Sequence, residues 1–357
     1  MARIALILSS LPLGGTERLS LALARAWTGL GHHVEFAVLS NMGALSGRCA
    51  TEFDVVDLHT SRLRCSLWPL IRYFRKSRAQ VHLVQMWPLT SLAVLAWILA
   101  GRPGQLYLSD HTHLSTHWAA WRCVLGLSLS WTYPFASGVI AVSRGVKEDI
   151  QTLSSIGPSS IEVIYDAVPF DLPGPQIKAK VTSGHPKILL SIGRLVYSKD
   201  QKLLIEAFDI VRRHVAVELI LIGEGPMRSV LEEEVRRRGL ERLVCMPGLV
   251  MDPRPYFQRS DLFVLTSTHE GFGLVLAEAM AFGVSVVSTD CPGGVREILE
   301  DGKYGALVPV GNSKMLAHAI MESLNYPKDR ILLWTRAQNF SIARVAVRYL
   351  EYFGLGK

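Results

Sequence analysis

Two carboxylates and two cations stand just after apolar runs in the second half of the chain, where they could hold a phosphorylated ligand. Glu270 lies in Thr268-His269-Glu270-Gly271-Phe272-Gly273, directly after the apolar run from Leu262 to Leu265. Glu278 lies inside the helix-forming run from Leu274 to Phe282. Strand, glycine turn, helix is the geometry that aims unpaired backbone N–H groups at an anion. Carboxylates on either side of a bound phosphate suit hydroxyl groups, so the stretch is laid out for a sugar, a pyrophosphate and a ribose. At about 100° per residue, helical positions eight apart return to within roughly a quadrant, which would turn both carboxylates toward one pocket. Solvated acids favouring a helix dipole would explain Glu270 equally well. They explain Glu278 less well, because a charge among Leu276, Ala277, Ala279 and Met280 is expensive without a partner.

A second loop supplies the cations. Gly193-Arg194-Leu195-Val196-Tyr197-Ser198-Lys199-Asp200 follows a strand pattern over 187–192 and precedes a helical one, so Arg194 and Lys199 project from a strand end. There they can neutralise a diphosphate leaving group. Plain solvated loop cations are the alternative, and the nearby carboxylate stretch weighs against it. Gly193, which opens this loop, is counted among the donor-binding positions. Near the start, Leu11-Pro12-Leu13-Gly14-Gly15-Thr16-Glu17 joins the first strand to the first helix, and Gly14 and Gly15 allow backbone to approach a phosphate or an acceptor. The turn is not Gly-x-Gly-x-x-Gly, so a dinucleotide fingerprint is missing. Gly223-Glu224-Gly225-Pro226 reads as a structural turn. With no Asp-x-Asp pair at a strand end, no metal and no cofactor are expected, and the cations take the ion's place. The five cysteines, Cys49, Cys65, Cys123, Cys245 and Cys291, form no C-x-x-C pair and no His-Cys cluster, which points to reduced cytosolic thiols.

These loops need parallel sheets to present them. Strand patterns over 4–10, 33–39, 80–85, 106–109 and 138–142 alternate with helical ones, the last followed by a helix that Ser143 opens as N-cap. Such alternation implies a parallel sheet covered on both faces. A proline- and glycine-rich stretch over 166–185 breaks it, and the pattern restarts at 187. At 357 residues the chain suits two domains, 1–168 and 187–335, with a linker over 169–186 and a helical segment, 336–357, packing back near the first. The start is too short for a signal peptide and reads as the first strand. The apolar run over 87–101 is shorter than the about 20 residues that span a bilayer, so it is expected to be a buried helix.

The net charge of +7 implies an anionic partner. Arg62, Arg64, Arg72, Arg75, Lys76 and Arg78 gather around Leu67, Trp68, Leu70, Ile71, Tyr73 and Phe74. A basic amphipathic helix with interleaved aromatics is the composition of a segment lying on an anionic membrane; a solvated surface helix is the equal alternative. No nucleic-acid motif accompanies the patch. Residues 118–135 add three tryptophans and an apolar run, read either as cover for a lipid-facing or acceptor cleft or as core.

Gly14-Gly15-Thr16-Glu17, Arg194-x4-Lys199, Gly223-Glu224-Gly225-Pro226 and Glu270-Gly271-Phe272-Gly273 leading to Glu278 resemble the retaining glycosyltransferases of family 4, over nearly the whole chain. The resemblance implies an α/β fold of the GT-B type, two facing Rossmann-like doubly wound domains with the active site in the cleft between them. It implies that Glu270 contacts donor-sugar hydroxyls, that backbone at Phe272, Gly273, Leu274 and Val275 holds the diphosphate, and that Glu278 holds the ribose. Arg194 and Lys199 would stabilise the departing phosphate, and the loop ending at Val250 would border the base. The family also has a histidine after a strand of its first domain, a place filled here by Ser109-Asp110-His111-Thr112-His113, with His111 preferred. Its plain alternative is a loop histidine bonded to Asp110. Two positions depart from the family pattern: Asp166 where Asn is usual, and Gly294-Val295 where Gly-Pro is common. The activity implied is transfer of a sugar from a nucleotide-sugar, by family habit a UDP-sugar, to a lipid-linked or lipopolysaccharide-type glycan acceptor at the cytoplasmic membrane face. A sugar-nucleotide epimerase or phosphorylase of the same fold and a non-catalytic nucleotide-sugar-binding protein are the competing readings.

Overall fold

The computed structural model of the chain describes residues 1–60, 62–154, 156–174 and 185–356, so much of the linker expected over 169–186 lies outside the described residues. The chain forms two compact units, Met1–Phe170 with Ser341–Lys357, and Asp171–Phe340.

The first unit holds a seven-stranded sheet built from β1 (Arg3–Leu8), β2 (His33–Val38), β3 (Asp54–Asp57), β4 (Val81–Gln85), β5 (Gln105–Asp110), β6 (Gly138–Ala141) and β7 (Ile161–Val163), in the order β3-β2-β1-β4-β5-β6-β7. All its pairings are parallel, and Ile4 stands opposite both Val34 and Val81. Because helices cover both faces, central strands are buried on both: β1 from Ile4 to Leu8 and β4 throughout. The second unit repeats the plan with β8 (Lys187–Ile192), β9 (Val217–Ile222), β10 (Val244–Gly248), β11 (Leu262–Leu265), β12 (Ser285–Thr289) and β13 (Ala306–Val308), ordered β10-β9-β8-β11-β12-β13. Strand order reverses between β1 and β4 in one sheet and between β8 and β11 in the other. Sheets of this kind receive ligands at the carboxyl ends of the strands beside the reversal.

The chain re-enters the first unit at Ser341, later than residue 336 where the return was expected. Its final helix, Ile342–Tyr352, packs on the first helix, Gly15–Gly29. Trp27 is fully buried there: its indole N–H donates to the Ala346 carbonyl at 3.0 Å, and its ring meets Tyr349 and Phe353 edge-on, each at 5.9 Å. The expected cap is present too, with the Ser143 hydroxyl accepting from the Val146 N–H at 3.1 Å.

The basic helix, Leu67–Lys76, has its apolar face covered by protein. Leu70, Ile71, Tyr73 and Phe74 face inward and are buried, since the helix packs on its neighbour Leu89–Leu99. Those residues belong to the core, and Trp68 is the large aromatic left outside. The apolar helix Leu89–Leu99 is mostly buried, as its composition implied. Among the described residues, no helix is long and apolar enough to cross a membrane.

Candidate active site

The loops after β8 and β11 face each other across the reversal of the second sheet and are stitched together. The Ser198 carbonyl accepts from the Thr268 N–H at 2.8 Å, and the Lys199 carbonyl accepts from the Thr266 hydroxyl at 2.8 Å. Lys199 is thereby fixed at the end of a short turn, Tyr197–Lys199, before Asp200 adopts a left-handed backbone (φ 41°) and caps the helix Gln201–Val211. From this position the Lys199 ammonium forms an ion pair with the Glu270 carboxylate, and the Ser267 hydroxyl donates to the same oxygen at 2.6 Å. Their side chains remain 22% and 10% exposed, so the pair is sheltered yet reachable. Gly193 lies against the Lys199 stem, where an added Cβ would make ordinary contact at 3.7 Å. Arg194 is an exposed side chain of the same loop, its carbonyl accepting from the Gln201 amide at 2.9 Å.

Downstream of Glu270 the chain turns through Gly273, whose φ of 90° suits glycine, into the helix Leu274–Ala281. No side chain caps this helix. The Leu276 N–H turns back to the Gly273 carbonyl at 2.9 Å, which leaves the start at Leu274 and Val275 suited to a phosphate. Phe272 is buried with its ring edge-on to Phe340 at 5.2 Å, anchoring the turn and leaving only backbone for a ligand. A second loop buttresses the first: the Glu270 N–H donates to the Pro292 carbonyl and the Gly294 N–H to the Gly271 carbonyl, both at 3.0 Å.

Glu278 is buried inside the helix, at 4% exposure. The helical phase that was to align it with Glu270 does not apply, because Glu270 precedes the helix and is oriented by Ser267 and Lys199. Val250 is half-buried and follows β10, which β9 separates from β8. Cys291 is buried and borders the pair; burial, then the Glu270 charge, push its thiol up to about 12, so it stays protonated and unreactive. Among the described residues no group of three or more His, Cys, Asp and Glu side chains is placed to hold a metal ion.

The remaining expected residues belong to the first unit. Gly14 and Gly15 lie after β1, at the start of the helix Gly15–Gly29 and beside that sheet's reversal. His111 follows β5, and its side chain is only 2% exposed. Its Nδ1 meets the Asp166 carboxylate at 2.9 Å and its Nε2 the Ser109 hydroxyl at 3.1 Å. Burial alone would lower its pKa, but the Asp166 charge and hydrogen bond outweigh burial and hold it above the ordinary value. Asp110, the partner expected for a purely structural histidine, is occupied elsewhere: it accepts from the Tyr133 hydroxyl at 2.6 Å and the Trp87 N–H at 3.1 Å. His113 is turned toward Thr116, with its Nδ1 2.9 Å from the hydroxyl. Sequence reasoning missed Asp166 and Ser267 as partners. The first showed only as a departure from the usual Asn, the second only as one hydroxyl in the stretch before Glu270.

Two family models match the chain: Glycosyltransferase Family 4 over residues 13–172 and Glycosyl transferases group 1 over residues 175–339. The chain is 32% identical over 229 residues to the N-acetylgalactosamine-N,N'-diacetylbacillosaminyl-diphospho-undecaprenol 4-alpha-N-acetylgalactosaminyltransferase of Campylobacter jejuni, a match spanning 62% of each protein. It is 30% identical to the lipopolysaccharide 1,6-galactosyltransferase of Salmonella typhimurium, over 50% of this chain and 49% of that protein. The matches thus span about half to 62% of these relatives' length. Among solved structures, HepE of Anabaena in complex with UDP-glucose superposes with a TM-score of 0.83 at 22% identity, covering 99% of this chain and 100% of that one. Two doubly wound parallel sheets of seven and six strands, this GT-B likeness and the two matched models agree, and the chain belongs to the family 4, group 1 glycosyltransferases.

Proposed function

We propose that the protein is a retaining glycosyltransferase that moves a sugar from a nucleotide-sugar, with UDP as the carrier, to a membrane-held glycan acceptor of the lipid-linked or lipopolysaccharide type. The observation that carries this reading is the Lys199–Glu270 pair beside the uncapped helix start at Gly273. Cations, aligned N–H groups and a carboxylate meet the three demands of a donor: charge on the leaving diphosphate, its phosphate oxygens and the sugar hydroxyls. The UDP-glucose bound to HepE and the diphospho-undecaprenol and lipopolysaccharide substrates in the relatives' names support the donor and acceptor classes.

In the reaction, the bond between the anomeric carbon and the diphosphate oxygen breaks while the acceptor hydroxyl oxygen bonds to that carbon from the same face. The acceptor proton passes to the departing phosphate. Arg194 and Lys199 offset the charge that grows on the leaving group, Glu270 orients the sugar and Glu278 the ribose. In the first unit, His111 is held by Asp166. Side chains meet the electrostatic demand without a metal, and the protein works as a peripheral protein at the inner membrane face.

The test offers labelled UDP-sugars and polyprenyl-diphosphate-linked glycans to wild type and Glu270→Ala, with and without chelator, and reads the product's anomeric configuration by NMR. Transfer with retention, insensitive to chelator and lost in the variant, is the expected result. An inverted product overturns the retaining assignment, and loss on chelation overturns the metal-free one. Turnover of the nucleotide-sugar without an acceptor would instead identify an epimerase or phosphorylase.

A further inference from the structure

Arg336 belongs to the helix Arg330–Ala337, which packs on Leu274–Ala281, the helix that opens at the phosphate-suited turn. Its side chain is only 12% exposed, and its nitrogens are engaged within the second unit. Nε donates to the Ile298 carbonyl at 3.0 Å and Nη2 to the Glu297 carbonyl, while Nη1 pairs with the Glu300 carboxylate at 2.7 Å. The guanidinium also lies over two rings, Tyr304 at 5.2 Å and Phe340 at 5.0 Å. A planar fork used at its edges and on its face is fixed in place, which a flexible lysine could not reproduce.

Two routes lead from that guanidinium to the same turn. The first runs through the short helix Val295–Leu299. Arg336 donates to carbonyls of its last turn, where a helix lacks internal donors. At the other end the Gly294 N–H donates to the Gly271 carbonyl at 3.0 Å. The buried Val295 and Ile298 side chains come so close to Gly273 that an added Cβ would lie 3.3 and 3.8 Å from them. The second route runs through Phe340, itself 1% exposed, whose ring meets the buried Phe272 ring edge-on at 5.2 Å. Gly271, Phe272 and Gly273 are therefore held one after another, by a carbonyl, a ring and a Cα, and each hold leads back to a contact of Arg336. Backbone N–H groups grip a phosphate directionally, so the affinity of such a turn depends on how firmly it is placed.

We infer that Arg336 is a positioning residue for the diphosphate-binding turn, acting through the helix Val295–Leu299 on one side and through Phe340 on the other. This rests on the reading of the uncapped helix start as the phosphate site of the donor.

The test is equilibrium titration of the full-length protein with UDP, GDP and ADP, each beside its own nucleoside. The ratio of the two affinities reads the diphosphate's share of binding. Wild type should bind one diphosphate at least about tenfold tighter than its nucleoside. Arg336→Lys keeps the charge without the fork, and Phe340→Leu keeps apolar bulk without the ring. Each should cut the ratio about fivefold or more while changing nucleoside affinity less than about twofold, and that retained affinity marks the variant as folded. If one of the two does not fold, the other decides. Arg330→Lys is the control, because the Arg330 guanidinium donates to the Phe282 carbonyl at 2.8 Å, beyond the far end of Leu274–Ala281. It should lower the melting temperature and leave the ratio unchanged. A ratio that survives both Arg336→Lys and Phe340→Leu overturns the inference and leaves the two residues as contributors to stability. An equal fall in Arg330→Lys overturns it as well, since general packing on the helix would then set the affinity. A wild type that binds no diphosphate tighter than its nucleoside removes the phosphate site itself, and with it the donor reading.

Discussion

Lys199 and Ser267 both engage the same oxygen of Glu270, so among the described residues the second oxygen has no protein partner and remains for a ligand hydroxyl. Lys199 therefore serves two ends, holding the carboxylate and presenting a cation. Lys199→Ala should lower turnover by about 10²-fold, the order seen when one donor to a developing oxyanion is removed, while donor affinity changes by no more than about threefold. Steady-state kinetics beside UDP titration separate the two effects, and an unchanged turnover would leave Lys199 a structural clamp. His111 carries a different signature. Its pKa is raised from the ordinary 6.5 by Asp166. A raised folded value means that the pair's stabilisation is fully present below about pH 6.5 and is lost as pH climbs through the folded value. Asp166→Asn removes the counter-charge and leaves burial to disfavour the imidazolium. The variant should therefore lose more stability relative to wild type at pH 5.5 than at pH 8.5, measured by denaturant unfolding at both. An equal loss at the two values would show that the pair is not charged.

The turn that carries Glu270 is shaped by its neighbour. Gly293 has a φ of 117°, and a Cβ there would lie 1.8 Å from the Glu270 carbonyl oxygen. Gly293→Ala should cost about 1–3 kcal/mol through backbone strain and reduce transfer more than UDP binding, because the loop pushed aside is the one that positions Glu270. Thermal melting and single-turnover assays check this, and a variant with normal rates would detach that loop from the chemistry. Such couplings mark where sequence reading stops. The central strands β1 and β11 were legible as unbroken apolar runs because both of their faces are covered. Edge strands β3 and β7 were not: Asp54–Asp57 and Ile161–Val163 are short and interrupted by acids, too little pattern to tell from loop. Glu270 and Lys199 were each placed at a strand end by sequence. Their pairing across 71 positions depends on β8 and β11 being neighbours, which strand order decides. His111 and Asp166, 55 positions apart, were invisible as a pair for the same reason. What covers the apolar face of the basic helix was not legible, because periodicity shows that a face is apolar without saying what packs on it.

The chain leaves the first unit near Phe170, builds the second, and returns at Ser341. Its last helix contributes Val345, Ala346, Tyr349, Leu350 and Phe353 to the first unit's core, where Trp27 is already buried. At about 1.5–3 kcal/mol for each large side chain buried, losing this helix compares with the whole stability of a domain, roughly 5–15 kcal/mol. A chain ending at Phe340 should keep amide-exchange protection in β8, β9 and β11 and lose it in β1 and β2. Retained protection in β1 would make the helix an accessory. During synthesis the same arrangement imposes an order. The first unit emerges first but cannot close its core around Trp27 until the second has been made, a wait on the order of ten seconds or more at ribosomal speeds. Until then one flank of its first helix stays open, and the unit is completed only once the second exists.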